Sequence, residues 1–164
     1  MDYLFVPAQK SDAEKVFSLI RDRIRWMDEL GIEQWNKEDY WGVFPKSYYH
    51  KAIQENRLYV LKEPETAAVV SAGVLSFEDW RWGDDGTPAA YLHNFVTALH
   101  TKGIGGIFLK KCEEYIRLSG KKKLRLDCAE SNLKLNQYYE RHGYKAAGRV
   151  IDGNFIGIKR EKDL

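Results

Sequence analysis

The stretch Asn132-Leu133-Lys134-Leu135-Asn136-Gln137-Tyr138-Tyr139-Glu140-Arg141-His142-Gly143-Tyr144 decides how this chain is read. It reads as a helix from Asn132 to His142, closed by Gly143, a residue suited to the left-handed conformation that ends helices. Leu124-Arg125-Leu126-Asp127-Cys128 before it reads as a strand. Tyr144 to Ile151 and Phe155 to Lys159 after it read as a hairpin around Asp152-Gly153. Further upstream, a strand ending near Val96 runs into Lys102-Gly103-Ile104-Gly105-Gly106, which opens a helix with apolar positions Ile104, Ile107, Phe108, Cys112, Tyr115 and Ile116. Three glycines in four positions let the backbone approach a ligand and aim several N–H groups one way. At the positive end of a helix dipole those groups favour phosphate. Lys102, Lys110, Lys111 and Lys121–Lys123 add positive charge nearby. The spacing is neither that of a P-loop nor that of a dinucleotide fold. Taken alone, the glycines also suit an ordinary helix start.

The remaining elements follow outward. Tyr3 to Val6 is a short strand candidate, and Ser11-Asp12-Ala13-Glu14 has the form of a capping box with Ser11 as N-cap. Val16, Leu19, Ile20, Ile24, Met27 and Leu30 then repeat as one helix face ending at Gly31. An aromatic segment from Trp35 to Tyr49 leads into a helix from Pro45 to about Asn56. Leu58–Leu61 and Ala67–Phe77 read as antiparallel strands joined by Glu63-Pro64-Glu65. Trp80 to Pro88 is turn-rich, and Ala90 to Val96 is a strand. The order β-α-α-β-β-β-α-β-α-β-β predicts an α/β (α+β) mixture: a mixed, largely antiparallel sheet of about seven strands flanked by about four helices.

Composition bounds the classes. The 164 residues are 44% hydrophobic and 30% charged, the balance of one globular domain over 1–164. Such a length buries roughly 70% of its unfolded surface and needs no staple. Met1-Asp2-Tyr3-Leu4 lacks the basic start of a signal peptide. The longest apolar run, Ala67 to Leu75, is far short of the ~20 residues of a membrane span. Cys112 and Cys128 form no metal or disulfide pattern, and reduced thiols in a cytoplasmic protein are the expectation. The four histidines show no metal spacing, so no metal is assigned.

The net charge of +2 conceals an uneven distribution. Residues 1–100 hold 11 Lys and Arg against 16 Asp and Glu, a balance of −5; residues 101–164 hold 15 against 8, a balance of +7. A mixed solvated surface accounts for such a split, and so does an anionic partner for the second segment.

Together the two motifs resemble the GNAT acyltransferase superfamily. Its acetyl-CoA site reads Gln or Arg, two residues, Gly, one residue, then Gly or Ala, followed by Asn, six residues, Tyr-Glu, two residues, Gly and Phe or Tyr. The corresponding residues are His100-Thr101-Lys102-Gly103-Ile104-Gly105 and Asn132 with Tyr139-Glu140-Arg141-His142-Gly143-Tyr144. His100 departs from the Gln or Arg of the pattern, and Asn136 stands where a small apolar residue is commoner. The element order carries the resemblance over almost the whole chain.

That resemblance implies an acetyl-CoA-dependent N-acetyltransferase that transfers directly to an amine in a ternary complex. Backbone near Phe95 and Val96 would pair with the pantetheine arm by strand addition, and an N–H there would polarise the thioester carbonyl. N–H groups from Thr101 to Gly106, beside His100, would hold the pyrophosphate. Asn132 would bond the pantetheine amide region, and Asn136 on the same helix is counted with it among the cofactor-binding residues. Tyr139 would protonate the leaving thiolate, a phenol and a thiol being similarly basic.

For the general base, Glu78, Asp79 and His93 are the candidates, with Glu33 and Glu130 weaker. Trp26, Trp35, Tyr40, Trp41, Trp80 and Trp82 lie among acids in the first hundred residues. Aromatic faces and carboxylates suit a cationic amine, with Trp35 and Trp80 as substrate-side candidates; the same aromatics could instead staple helices to the sheet. A primary amine of a small molecule is the expected acceptor. A protein or peptide amine and a non-catalytic acyl-CoA sensor are the alternatives, with no nucleic-acid or membrane partner. A monomer and a homodimer are both open.

Overall fold

The computed structural model describes residues 2–164, with Trp35 described through its backbone alone. In chain order the elements are β1 (Leu4–Pro7), α1 (Ala13–Glu29), α2 (Tyr40–Val43), α3 (Lys46–Gln54), β2 (Leu58–Lys62), β3 (Val69–Ser76), β4 (Ala89–Thr97), α4 (Ile104–Leu118), β5 (Lys123–Ala129), α5 (Leu133–Arg141), β6 (Lys145–Asp152) and β7 (Phe155–Asp163). The strands form one sheet in the order β1-β2-β3-β4-β5-β7-β6. Pairs β1/β2, β2/β3, β5/β7 and β6/β7 are antiparallel, and β4/β5 is parallel. The expected architecture stands, with α2 as a fifth helix. Its four residues are held by the Asp39 carboxylate, which accepts the Gly42 N–H at 3.1 Å, a local cap too short to show a period.

The chain clusters into two compact units, Met1–Leu75 with Asn94–Lys111, and Ser76–His93 with Cys112–Leu164. In the first, Val16, Phe17 and Ile20 of α1 pack with Tyr49 and Ala52 of α3, Leu58 and Val60 of β2, and Ala72 and Val74 of β3. Full burial of a side chain such as Phe17 stabilises by roughly 2–3 kcal/mol. The start of α1 differs from the expected Ser11–Glu14 box. The buried Asp12 carboxylate instead accepts the Gln9 N–H at 2.8 Å and pairs with Lys62 of β2 at 2.9 Å. A tertiary ion pair thus chose the capping residue. The helix ends as read, with Gly31 at φ +65° and the Ile32 N–H donating to the Met27 carbonyl at 2.9 Å.

In the second unit β5 pairs along its whole length with β7, from Lys123↔Asp163 to Ala129↔Gly157. That pairing carries β7 past the Lys159 expected from sequence. The parallel ladder between β4 and β5 is short: Ala89↔Lys123, Ala90↔Leu124 and Tyr91↔Arg125. Among the described residues Leu92 and His93 make no such pairs with Leu126 and Asp127, so the two strands part company there. The turn-rich segment before β4 is clamped to β5. Buried Arg125 donates to Asp85 at 2.6 Å, Glu161 at 2.9 Å and the Tyr91 hydroxyl at 3.1 Å, and lies 4.6 Å from the Trp82 ring centroid. Cys112 and Cys128 are buried free thiols. Among the described residues no helix is long and apolar enough to cross a membrane, and no cluster of His, Cys, Asp or Glu could hold a metal ion.

Candidate functional site

The glycine-rich segment lies in the first unit, in the turn that starts α4. His100 and Gly103 both take the left-handed conformation, at φ +60° and +79°, so the chain reverses sharply twice within four residues. Thr101 Oγ1 donates to the Ala98 carbonyl at 2.7 Å and fixes the turn. His100, Thr101, Lys102 and Gly103 are exposed, while Ile104 is buried and anchors the first helical turn. Gly105 and Gly106 occupy that turn, where backbone N–H groups have no intrahelical acceptor. The turn therefore presents amides, a helix dipole and a lysine to solvent, as an anion requires.

In the second unit α5 carries Asn132, Asn136 and Tyr139. Asn132 is its N-cap, with Oδ1 accepting the Leu135 N–H at 3.0 Å. Asn136 is buried and fully engaged within the protein. Its Oδ1 accepts from Arg160 at 2.9 and 3.1 Å and from Cys128 at 3.3 Å; its Nδ2 donates to the Ala129 and Asn132 carbonyls, each at 3.0 Å. Asn136, expected from sequence to be a cofactor-binding residue, thus has both amide protons and its carbonyl oxygen engaged by partners within the protein. Sequence reading could not find this hub, because its organiser, Arg160, lies 24 residues away in the chain.

Tyr139 is buried at 6% exposure. Its ring meets Tyr138 and Tyr144 edge-on at 5.5 and 5.8 Å. Among the described residues its hydroxyl makes no hydrogen bond to the protein. Burial, reinforced by Cys128, Tyr138 and Asp127, pushes its phenol far above the ordinary value of 10. The group is a neutral O–H donor throughout the physiological range.

The base candidates fall in the segment after β3 and on β4. His93 Nε2 lies 3.5 Å from the buried carboxylate Oδ2 of Asp79, so the structure joins two of the residues singled out from sequence. Asp79 Oδ1 accepts the Arg81 N–H at 2.9 Å, which holds the carboxylate in place. Arg81 bridges Asp127 of β5 at 3.2 Å and Asp152 at the end of β6 at 2.7 Å. Desolvation raises the Asp127 carboxyl against the opposing pull of Arg81 and His93. Glu78 belongs to the exposed turn after β3, where its carbonyl accepts from Ser76 Oγ at 2.8 Å.

The aromatic residues separate into different roles. Trp41 packs edge-on against Phe17 and Tyr40 in the first unit, and Trp82 lies under Arg125, so both are structural. Trp26 stacks with Arg23 at 4.8 Å. Trp80 is 73% exposed, with Arg81 lying 5.7 Å from its ring centroid. The Trp35 side chain lies outside what the structure describes.

Comparison with known proteins supports the same reading. The family model "Acetyltransferase (GNAT) family" matches residues 20–144. Among curated proteins, none matches the sequence significantly. Among solved structures, a GNAT-family acetyltransferase from Listeria monocytogenes is similar over 99% of this chain and 95% of its own, at 26% identity and a TM-score of 0.80. One from Streptococcus agalactiae covers the same shares at 18% identity and a TM-score of 0.82. The PaiA N-acetyltransferase of Thermoplasma acidophilum, solved in complex with coenzyme A, is similar over all of both chains at 18% identity and a TM-score of 0.76. These last two likenesses bear on the fold, while the family match, across three quarters of the chain, bears on the activity. The chain belongs to the GNAT family of acetyltransferases.

Proposed function

We propose that this single domain is an acetyl-CoA-dependent N-acetyltransferase whose acceptor is a primary amine of a small molecule. Acetyl-CoA lays its pyrophosphate on the N–H groups between Thr101 and Gly106, with His100 and Lys102 beside it. Its pantetheine arm takes the backbone groups that β4 leaves unpaired where its ladder with β5 ends, through Phe95 and Val96. Asn132 offers Nδ2 to the pantetheine amides, while Asn136 supports the helix from within. The turn fits this substrate because it starts a helix with exposed residues His100 to Gly103, and β4 fits it because the β4/β5 register ends at Tyr91.

The chemistry follows from three groups. An alkylammonium has a pKa near 10.4 and must lose a proton before it can attack. His93, held by Asp79, takes that proton, with Glu78 as the second candidate. The amine nitrogen forms a bond to the thioester carbon, and a backbone N–H near Val96 stabilises the developing oxyanion. The C–S bond then breaks, the thiolate takes its proton from Tyr139, and the proton that the acylated nitrogen sheds restores the tyrosine hydroxyl. The observation that carries this reading is the Tyr139 hydroxyl: neutral, on a buried residue and without a hydrogen bond to the described protein, it is free to donate to a leaving group. Both thiols are raised by burial, Cys128 to about 11, which disfavours a covalent acyl-enzyme.

Trp80 and the acids around the β3–β4 turn form the acceptor side. We place the protein in the cytoplasm, where acetyl-CoA is available. The test is thiol release from acetyl-CoA against a panel of polyamines, aminoglycosides, amino acids and a peptide with a free N-terminus, with products read by mass. Turnover of a small amine supports the proposal; acetylation of the peptide alone overturns the acceptor class. No turnover of any amine overturns catalysis and leaves a sensor.

A further inference from the structure

The end of β4 is held in an unusual way. Asn94 sits at φ +52° in the middle of the strand. That conformation is costly for most non-glycine residues, though least so for Asn and Asp. It interrupts the extended run immediately before Phe95 and Val96. The local backbone is then fastened by side chains from other elements of the same unit. Tyr48 of α3 donates its hydroxyl to Asn94 Oδ1 at 2.8 Å, and Asn94 Nδ2 donates to the Tyr40 hydroxyl at 3.2 Å. Tyr40 is itself hydrogen-bonded to Tyr49, deep in the core. Beyond the kink, the buried Ser71 hydroxyl donates to the Val96 carbonyl at 2.8 Å. Arg23 of α1 donates to the Thr97 carbonyl and hydroxyl at 2.8 and 3.0 Å.

These bonds have a common consequence. Each fixes a backbone unit or side chain between Asn94 and Thr97, so the direction of the N–H groups in that stretch is set by α1, α2 and α3 as well as by the sheet. Both tyrosine hydroxyls stay protonated: burial lifts Tyr48 to about 12 and raises Tyr40 above its ordinary value. Phe95 adds a stacked contact with Phe108 of α4 at 4.9 Å, which turns its side chain toward the helix and leaves its backbone as the group a ligand meets.

We propose that Tyr40, Tyr48 and Asn94 are positioning residues that aim the β4 backbone N–H at the acetyl carbonyl, so that the segment around α2 and α3 tunes the transfer step. This rests on the assignment of that N–H to the thioester under the proposed function. A misplacement of about 1 Å in such a donor costs up to ~100-fold in rate. Tyr48→Phe keeps the ring and removes one bond, and a ~10-fold fall is the scale expected. Asn94→Gly keeps the left-handed backbone accessible and removes both side-chain bonds.

The test is infrared difference spectroscopy of acetyl-CoA labelled with carbon-13 at the acetyl carbonyl, bound to the parent protein, Tyr48→Phe and Asn94→Gly. A carbonyl that accepts a directed hydrogen bond absorbs at lower frequency than in free acetyl-CoA. The expected result is a lowered band in the parent that moves back toward the free position in both variants, with acetyl-CoA affinity within about twofold. Where an acceptor has been found, kcat falls and KM for acetyl-CoA holds. A lowered band that stays in place in both variants overturns the positioning role and leaves the N–H assignment standing. No lowered band in the parent overturns that assignment and this proposal together. If Tyr48→Phe fails to fold, Asn94→Gly decides alone by the same band.

Discussion

Replacing Arg160 by Met removes the organiser of the buried network under α5 while keeping an unbranched side chain of similar reach. Arg160 is 4% exposed and makes four hydrogen bonds. Two go to Asn136 Oδ1, one from Nη1 to the Tyr144 carbonyl at 3.0 Å, and one to Glu140 at 3.1 Å. The Glu140 bond counts for little, since that carboxylate is largely exposed. The other three serve two buried acceptors. Leaving a buried acceptor unpaired costs roughly 1–3 kcal/mol, and the weak Cys128 thiol donor replaces little of it. The sum is about 3 kcal/mol, which for a chain of this size lowers Tm by ~6–12 °C. The assay is a thermal melt with a parallel measurement of kcat. Asn136 and Glu140 flank Tyr139 on α5, so kcat falls further than the folded fraction at the assay temperature explains. In the double variant Arg160→Met with Asn136→Leu, both partners are apolar, and the loss is smaller than the sum of the singles by ~1–3 kcal/mol. A Tm within about 2 °C of the parent, or strict additivity in the double variant, refutes the reasoning.

Further outcomes follow from the other clusters. Asp79→Asn and His93→Gln each lower kcat/KM, on the order of 10²-fold for the histidine as the base and less for the aspartate that orients it, as steady-state kinetics will read; equal rates in His93→Gln and parent shift the role to Glu78. The Asp85 carboxyl is held well below its ordinary range, mainly by its hydrogen bonds to Arg125. A depressed carboxyl stabilises above its unfolded value near 3.8 and loses that contribution as pH falls below it. The Tm gap between the parent and Asp85→Asn is therefore present at pH 7 and shrinks toward pH 2.5, and a gap independent of pH contradicts the pairing.

Much of this was legible in the sequence because it is local. The Gly-aromatic end of α5, the three glycines at the start of α4 and the period of α1 each report on a few neighbouring residues, and the structure places these elements as read. What sequence could not show depends on partners far apart in the chain. The N-cap moved from Ser11 to the Gln9–Asp12 pair because Lys62, fifty residues on, makes burial of Asp12 tolerable. Asn136 matches a cofactor motif by position, yet its amide is engaged by Arg160 and Cys128. Asn94 looks like any polar strand residue until Tyr40 and Tyr48 are seen on its side chain. Part of the uneven charge is balanced inside the fold by pairs that join the two sequence segments: Arg125 with Asp85 and Lys111 with Asp2.

The central claim is that Tyr139 supplies a proton to the departing thiolate, and Tyr139→Phe tests it most directly. The variant keeps the ring and its contacts with Tyr138 and Tyr144, and its hydroxyl has no bond to the described protein to lose. Acetyl-CoA affinity by calorimetry and kcat by thiol release should be measured on both proteins between pH 6 and 10. Because the buried phenol is raised above 10, the parent shows no alkaline loss from this group in that range, and kcat in the variant falls by ~10²–10⁴-fold with affinity unchanged. A variant that turns over at the parental rate contradicts the account.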